Sequence, residues 1–161
     1  MHVLVRTLIF TVLVPGTVTV ALPYRLLPAG TEFSLRGYRL IGLILIAFGA
    51  GVYFWCAGHF TFTGRGTPAP IDPPKTLVAK GAYRIVRNPM YIGVWLVLVG
   101  EAIVFGSLRL VRYALLVGLM FHLIVIFYEE PVLREKFGLA YEEYCRSVPR
   151  WIPRVARNTG A

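Results

Sequence analysis

The sequence predicts an all-α membrane protein with four transmembrane helices and a cytoplasmic, amphipathic C-terminal helix. Three observations lead there. Of 161 residues, 57% are hydrophobic and 16% charged, against about 25% charged in soluble domains. A bilayer core takes about 20 apolar residues per helix, and four runs reach or approach that length: residues 3–22, 40–57, 91–108 and 113–128. The last is short, and its flanks would extend it. Lys and Arg are also unevenly placed. With alternating topology, twelve fall on one face and five on the other. The positive-inside rule puts the twelve, and both termini, in the cytoplasm.

The first run carries Arg6 near its start, ahead of most of its apolar residues, and could pass for a signal peptide. No small-x-small cleavage site follows it, and Pro15-Gly16 lies in its middle, so it is expected to stay as a helix. The second run carries Gly42, Gly49, Gly51 and Gly58, small residues that let helices approach closely in lipid. Residues 60–80 contain Pro68, Pro70, Pro73 and Pro74 with Gly64 and Gly66. That density excludes regular structure, and a connection so long is usually a lid or linker. Gly64-Arg65-Gly66 is too short for a nucleotide fingerprint. Leu77 and Val78 look like the start of a segment that re-enters the protein.

Arg87-Asn88-Pro89-Met90-Tyr91 opens the third run. Asn88 can cap a helix and Pro89 suits its first position. A capped start does not account for Arg87 and Tyr91 beside a helix N-terminus, which attracts carboxylates and other anions. The third and fourth runs form an antiparallel hairpin through residues 107–112. Glu101 and His122 lie inside it. Ionisable groups rarely face lipid, so each serves either a packing hydrogen bond or a functional route. His122 and Glu129, seven residues apart, share one helical face. Tyr128-Glu129-Glu130-Pro131 ends the fourth run, and the proline favours a bend there. Two carboxylates beside anionic lipid call for a cationic partner, either a ligand or Arg87. Beyond them Val132, Leu133, Phe137, Ala140, Tyr141 and Tyr144 recur at helical spacing, the pattern of an amphipathic surface helix. Gly138 weakens it locally, and Trp151 suits the membrane interface. The chain thus reads as one membrane domain: residues 1–60 hold two helices, 61–90 a cytoplasmic loop, 91–128 the hairpin and 129–161 a cytoplasmic tail.

The net charge of +9 is accounted for by topology and attraction to anionic lipid, and no nucleic-acid-binding module is visible. Cys56 and Cys145 have no metal-ligand spacing. Neither a metal site nor a disulfide framework is expected.

Three separated blocks carry a resemblance. They are G-x-Y-R-x-x-R-(H/N)-P-x-Y at residues 81–91, E-E-x-x-L-x-x-x-(F/Y)-G-x-x-Y-x-x-Y at 129–144, and V-P-R-(W/F)-x-P at 148–153. The chain resembles the integral-membrane methyltransferases that include isoprenylcysteine carboxyl methyltransferase and phosphatidylethanolamine N-methyltransferase. The resemblance covers roughly the last half of the chain. It implies S-adenosylmethionine as donor, in an enclosed cytoplasmic pocket, and a membrane-embedded, lipid-like acceptor. Leu77, Val78, Gly81 and Tyr83 would line the adenosine end. Arg87, Asn88 and Tyr91 would hold the methionine end, with Glu129 and Glu130 opposite. Arg87 and Glu130 would be catalytic. The acceptor would enter from the bilayer, by glycine-lined gaps near the second helix and the Glu101/His122 region. Asn88 stands where the eukaryotic carboxyl methyltransferases have histidine, so a proton role is not available there. The acceptor stays open between a phospholipid amine and a prenylated or isoprenoid carboxylate. Membrane sterol reductases share an R-N-P-x-Y-like segment but use NADPH and carry an H-R-x-x-R-D-E run instead of Tyr128-Glu129-Glu130. A non-catalytic membrane protein of the same fold is the other alternative.

Overall fold

The computed structural model describes residues 2–28, 31, 37–62, 77 and 79–154, with only the backbone of His2, Val3 and Phe60. Every regular element among them is helical. Val78 and most of the proline-rich loop lie outside the described residues.

Helix α1 (His2–Leu13) leads through a π turn (Thr17–Ala21) into α2 (Leu22–Leu26). Together they supply an apolar span of 23 residues, Leu4–Leu26. Threonine hydroxyls that would be costly in lipid bond back along the helix. Thr11 donates to the Thr7 carbonyl at 2.8 Å and Thr19 to the Pro15 carbonyl at 2.8 Å. Such bonds satisfy those hydroxyls inside the segment. The π turn has a local cause. Pro23 lacks an N–H, and its ring would strike a carbonyl one turn back. The wider turn, closed by Leu22 N–H to Thr17 O, makes room.

Helix α3 (Arg39–Phe62) packs along α4 (Pro89–Phe105). Its four glycines divide into two kinds. A Cβ at Gly42 would lie 2.6 Å from the Gly100 carbonyl oxygen, and one at Gly49 2.5 Å from that of Gly93. Reciprocally, a Cβ at Gly93 or Gly100 would meet the Gly49 or Gly42 oxygen at 2.7 or 2.5 Å. The backbones touch there. Gly51 and Gly58 have nothing within 4 Å.

Helix α5 (Leu108–Ile124) follows after a turn of two residues. Gly106 takes φ 59°, a left-handed helix end that glycine adopts without Cβ strain, and Ser107 precedes the new helix. The connection is therefore tighter than residues 107–112, and Arg109 and Arg112 are helical. Trp95 of α4 lies over Gly118 of α5 and donates to the Ala114 carbonyl at 2.8 Å.

The expected bend at Pro131 does not occur. A second π turn (Val125–Glu129) joins α5 to α6 (Glu130–Phe137), giving one apolar helix over Leu108–Phe137. Glu130 N–H bonds to Val125 O, the same five-residue reach found before Pro23. The break comes instead at Gly138, with φ 51°, before α7 (Leu139–Ser147). By length and composition, Leu4–Leu26, Arg39–His59 and Leu108–Phe137 are able to cross a membrane, and Pro89–Phe105 is a shorter apolar helix.

Candidate active site

The site is built where the start of α4, the π turn and α6, and the chain after α7 converge. Asn88 is the residue before α4, and Pro89 sits in its first turn as expected. The Asn88 side chain makes no cap hydrogen bond. Its Nδ2 donates to the Arg150 carbonyl at 3.3 Å, and the Arg87 N–H donates to the Pro149 carbonyl at 2.8 Å. The tail segment from Val148 onward is thus strapped across the α4 entrance. Trp151 Nε1 completes the strap by donating to His122 Nδ1 at 3.0 Å. His122 thus accepts a hydrogen bond from the tail. Trp151→Phe keeps an aromatic ring and removes this donor. About 1 kcal/mol of local restraint should go with it, read as faster limited trypsin cleavage after Arg150 and Arg154.

Glu130 is 3% exposed and is surrounded by arginines. Arg150 grips it with Nε to Oε1 at 2.6 Å and Nη2 to Oε2 at 3.0 Å. Arg87 Nη2 lies 3.3 Å from Oε1, and Arg134 Nη2 3.6 Å from Oε2. Arg87 and Glu130 are a direct ion pair rather than groups facing each other across a gap. The bond to Glu130 holds the Arg150 guanidinium above its ordinary pKa. Arg87 Nη1 also donates to Cys145 Sγ, while its Nε is buried with no hydrogen-bond partner among the described residues. Glu129 accepts from the Tyr91 hydroxyl, and the Tyr91 ring lies 4.6 Å from that of Phe121.

The short 3-10 turn Gly81–Arg84 places Tyr83, which is buried, beneath this cluster. Tyr144 donates to the Tyr83 carbonyl at 2.7 Å. Burial pushes the Tyr83 and Tyr144 hydroxyls above their usual pKa, so both remain protonated donors. Gly81 packs against α3 instead, where a Cβ would lie 2.7 Å from His59 Nε2.

A cavity of about 490 Å³ unites these groups, within the roughly 300–1,000 Å³ of small-molecule sites. Leu77, Tyr83, Arg87, Asn88, Tyr91, Glu129 and Glu130 all line it. Of the residues singled out from the sequence, Gly81 and His122 do not line it, Val78 lies outside the described residues, and Glu101 is elsewhere on α4. The opposite wall is apolar and comes from the spans, with Phe10, Val14 and Val18 from the first and Met120, Phe121 and Ile124 from α5. The cavity therefore joins a charged wall to a hydrocarbon one.

Arg150, Tyr141, Tyr144 and Tyr53 were not singled out from the sequence as site residues. Arg150 and the two tail tyrosines lie inside the quoted blocks, so their spacing was the available signal. Tyr53 is a lone tyrosine in an apolar run and gave none.

A family model described as phospholipid methyltransferase matches residues 38–140. Protein-S-isoprenylcysteine O-methyltransferase B of Arabidopsis thaliana is 35% identical over 80 residues. That stretch is 49% of this chain and 40% of the plant protein, so the chain spans well under half the length of that relative. No solved structure matches the chain.

Proposed function

Because the chain belongs to the phospholipid methyltransferase family, we propose that it transfers a methyl group from S-adenosylmethionine to a membrane-embedded, lipid-like acceptor. The acceptor is a phospholipid amine or a prenylated or isoprenoid carboxylate. The observation that carries this reading is the two-walled cavity. The donor combines a carboxylate, an amino group, a ribose diol, an adenine and a cationic sulfur. The polar wall offers a match for each kind of group. Arg87 has a buried, unpartnered Nε that can bond the carboxylate. Glu129, bonded to a tyrosine rather than an arginine, can accept from the amino group or the diol. The faces of Tyr83 and Tyr91 suit the adenine and a neighbouring cation.

When bound, the donor supplies an electrophilic methyl group. The chain's own contribution is alignment. Glu130, through its arginines, fixes where Arg87 points, and Tyr91 fixes Glu129. Holding both reactants at about 3–3.5 Å can supply most of the rate. The tail strap excludes water from that side. The hydrocarbon wall lets an acceptor present its head group while its chain stays in lipid.

This reading places the polar wall, both termini and the tail on the cytoplasmic side, supported by the excess of Lys and Arg there. It also takes Pro89–Phe105 as a fourth span. Seventeen residues reach about 25 Å, less than the about 30 Å of a bilayer core, so that helix would sit partly shielded by its neighbours.

Calorimetry on protein in detergent tests the donor. S-adenosylmethionine should bind and NADPH should not. Arg87→Ala should weaken binding by about 1.5–3 kcal/mol through loss of a charge-assisted hydrogen bond. Unchanged affinity in both Arg87→Ala and Glu130→Gln would sink the assignment of the site. Transfer of a radiolabelled methyl group into a lipid extract would then identify the acceptor class.

A further inference from the structure

Resting on the methyl-transfer reading, we propose that residues 148–154 form a clasp seated in the bilayer. Trp151 and Ile152 enter the cytoplasmic leaflet, Arg146 and Arg154 bind anionic lipid head groups, and this seat keeps the donor's polar wall assembled. The depth of the clasp follows from its bonds. Exposed Arg109 and Arg112 hold the far end of the α4–α5 hairpin at the outer margin. From there α4 runs 17 residues, about 25 Å. It ends beside Arg87 and Asn88, which bond the carbonyls of Pro149 and Arg150. His122, which accepts from Trp151, lies about 21 Å along α5 from Leu108. Both levels fall short of the about 30 Å of a hydrocarbon core, and any tilt puts them deeper. The clasp thus runs at the inner edge of the hydrocarbon. Its Trp151 ring points below that edge and packs against the buried cluster that includes Phe121. Ile152 comes next and is 80% exposed. At this depth its exposure is to lipid. Leu139 gives the contrast. It is 88% exposed but follows Phe137, roughly 40 Å from Leu108 along one continuous helix, and so lies outside the core.

The charges at the two ends of the clasp suit the same surface. Arg146 and Arg154 are exposed. Arg154 Nη1 donates to the Arg146 carbonyl at 3.0 Å, which brings the end of the clasp back to the last turn of α7. Among the described residues, neither guanidinium pairs with a carboxylate. Each keeps donors for the phosphates of the anionic cytoplasmic leaflet. An indole and an isoleucine at the edge of the hydrocarbon, flanked by arginines, is the arrangement that an interface favours. The inner side of the clasp grips Arg87, Asn88 and Glu130, and all three line the site cavity. Lipid on one side and the donor wall on the other therefore share seven residues. The wall can loosen to release a donor only if Trp151 and Ile152 leave the leaflet.

Photocrosslinking in vesicles tests the seat without turnover. Ile152 or Leu139 is replaced by p-benzoylphenylalanine, and the protein is placed in phosphatidylcholine vesicles containing phosphatidylglycerol. Irradiation should add the mass of a phospholipid at position 152, several-fold more than at 139. Release of radiolabelled S-adenosylmethionine then tests the coupling. Ile152→Glu should speed release about tenfold, in keeping with the loss of one lipid-buried apolar side chain. Its exposure means that no packing inside the protein is lost, and Ile152→Leu should release the donor at the native rate. Leaving out phosphatidylglycerol should speed release from the native protein about fivefold, and from an Arg146→Gln/Arg154→Gln variant hardly at all. Equal lipid labelling at 152 and 139, or an adduct with another protein chain in place of lipid, would overturn the seat. Release rates indifferent to both Ile152→Glu and phosphatidylglycerol would overturn its coupling to the donor wall. Absence of donor binding in the native protein would instead count against the methyl-transfer reading, since the adduct at 152 does not depend on a donor.

Discussion

Glu130→Gln should be the most destabilising conservative substitution in the tail half of the chain. The change preserves volume and removes one charge. It leaves Arg87, whose side chain is 10% exposed, without its carboxylate. A guanidinium cannot shed its proton to escape, and removing one member of a buried pair costs about 3–5 kcal/mol. Arg150 and Arg134 soften the loss, since their side chains are 31% and 46% exposed and can return to water. A cost near the lower bound, about 3 kcal/mol, is therefore expected. Thermal unfolding in detergent would show it as a clear drop in midpoint. Arg134→Ala supplies the contrast. Its side chain is exposed to water, its contact with Glu130 is the longest of the three arginines' at 3.6 Å, and its pair with Glu142 lies at the surface, so its loss should cost about 0.5 kcal/mol or less. Equal midpoints for Glu130→Gln and the native chain would show that the arginine cluster does not hold the tail.

The second large effect separates two glycines that look alike in the sequence. Gly49→Ala should destabilise, because the new Cβ meets a carbonyl oxygen of the facing backbone at 2.5 Å. Backbone cannot swing aside as a flexible side chain can, so α3 and α4 must part along their contact. Overpacking of this kind costs about 1–3 kcal/mol, and Gly49→Leu more. Gly51→Ala should do the opposite. Nothing lies within 4 Å of its Cβ position, and alanine in a helix interior gains about 0.5–1 kcal/mol over glycine. Two residues apart on one helix, the same substitution should move the unfolding midpoint in opposite directions. Shifts of the same sign would mean that the α3–α4 contact is not the close one described.

Composition and run length made the helical, membrane-adapted character legible, because hydrocarbon imposes a length and a polarity on any segment that crosses it. The polar wall was legible for a related reason. Arg87, Asn88, Tyr91, Glu129 and Glu130 stand at the margins of apolar runs, where charge is conspicuous. Periodicity served less well near the prolines. The argument that put His122 and Glu129 on one face assumes an unbroken α-helical period, and a π turn intervenes. The two bond different partners, Trp151 and Tyr91. The bend expected at Pro131 fails for the same reason, since the wide turn accommodates the ring. Arg150 was hidden by distance in sequence. Its bond to Glu130 joins residues 20 positions apart through the reversal at Gly138. The apolar half of the site could not be read at all, because residues such as Phe10, Val18 and Tyr53 look like any others in a transmembrane run.

The π turn before Glu130 sets the rotational phase of everything after it. A π turn holds one residue more than an α turn, so winding the same residues as regular α-helix would lengthen the span by only about 1.5 Å, yet turn α6 by about 100° about its axis. Such a rotation would swing Glu130 off Arg87 and Arg150 and leave the helix as apolar and about as long as before. Membrane fit and carboxylate aim are thus set by separate stretches of one helix. A change of winding that the bilayer would scarcely register would unmake the charged wall.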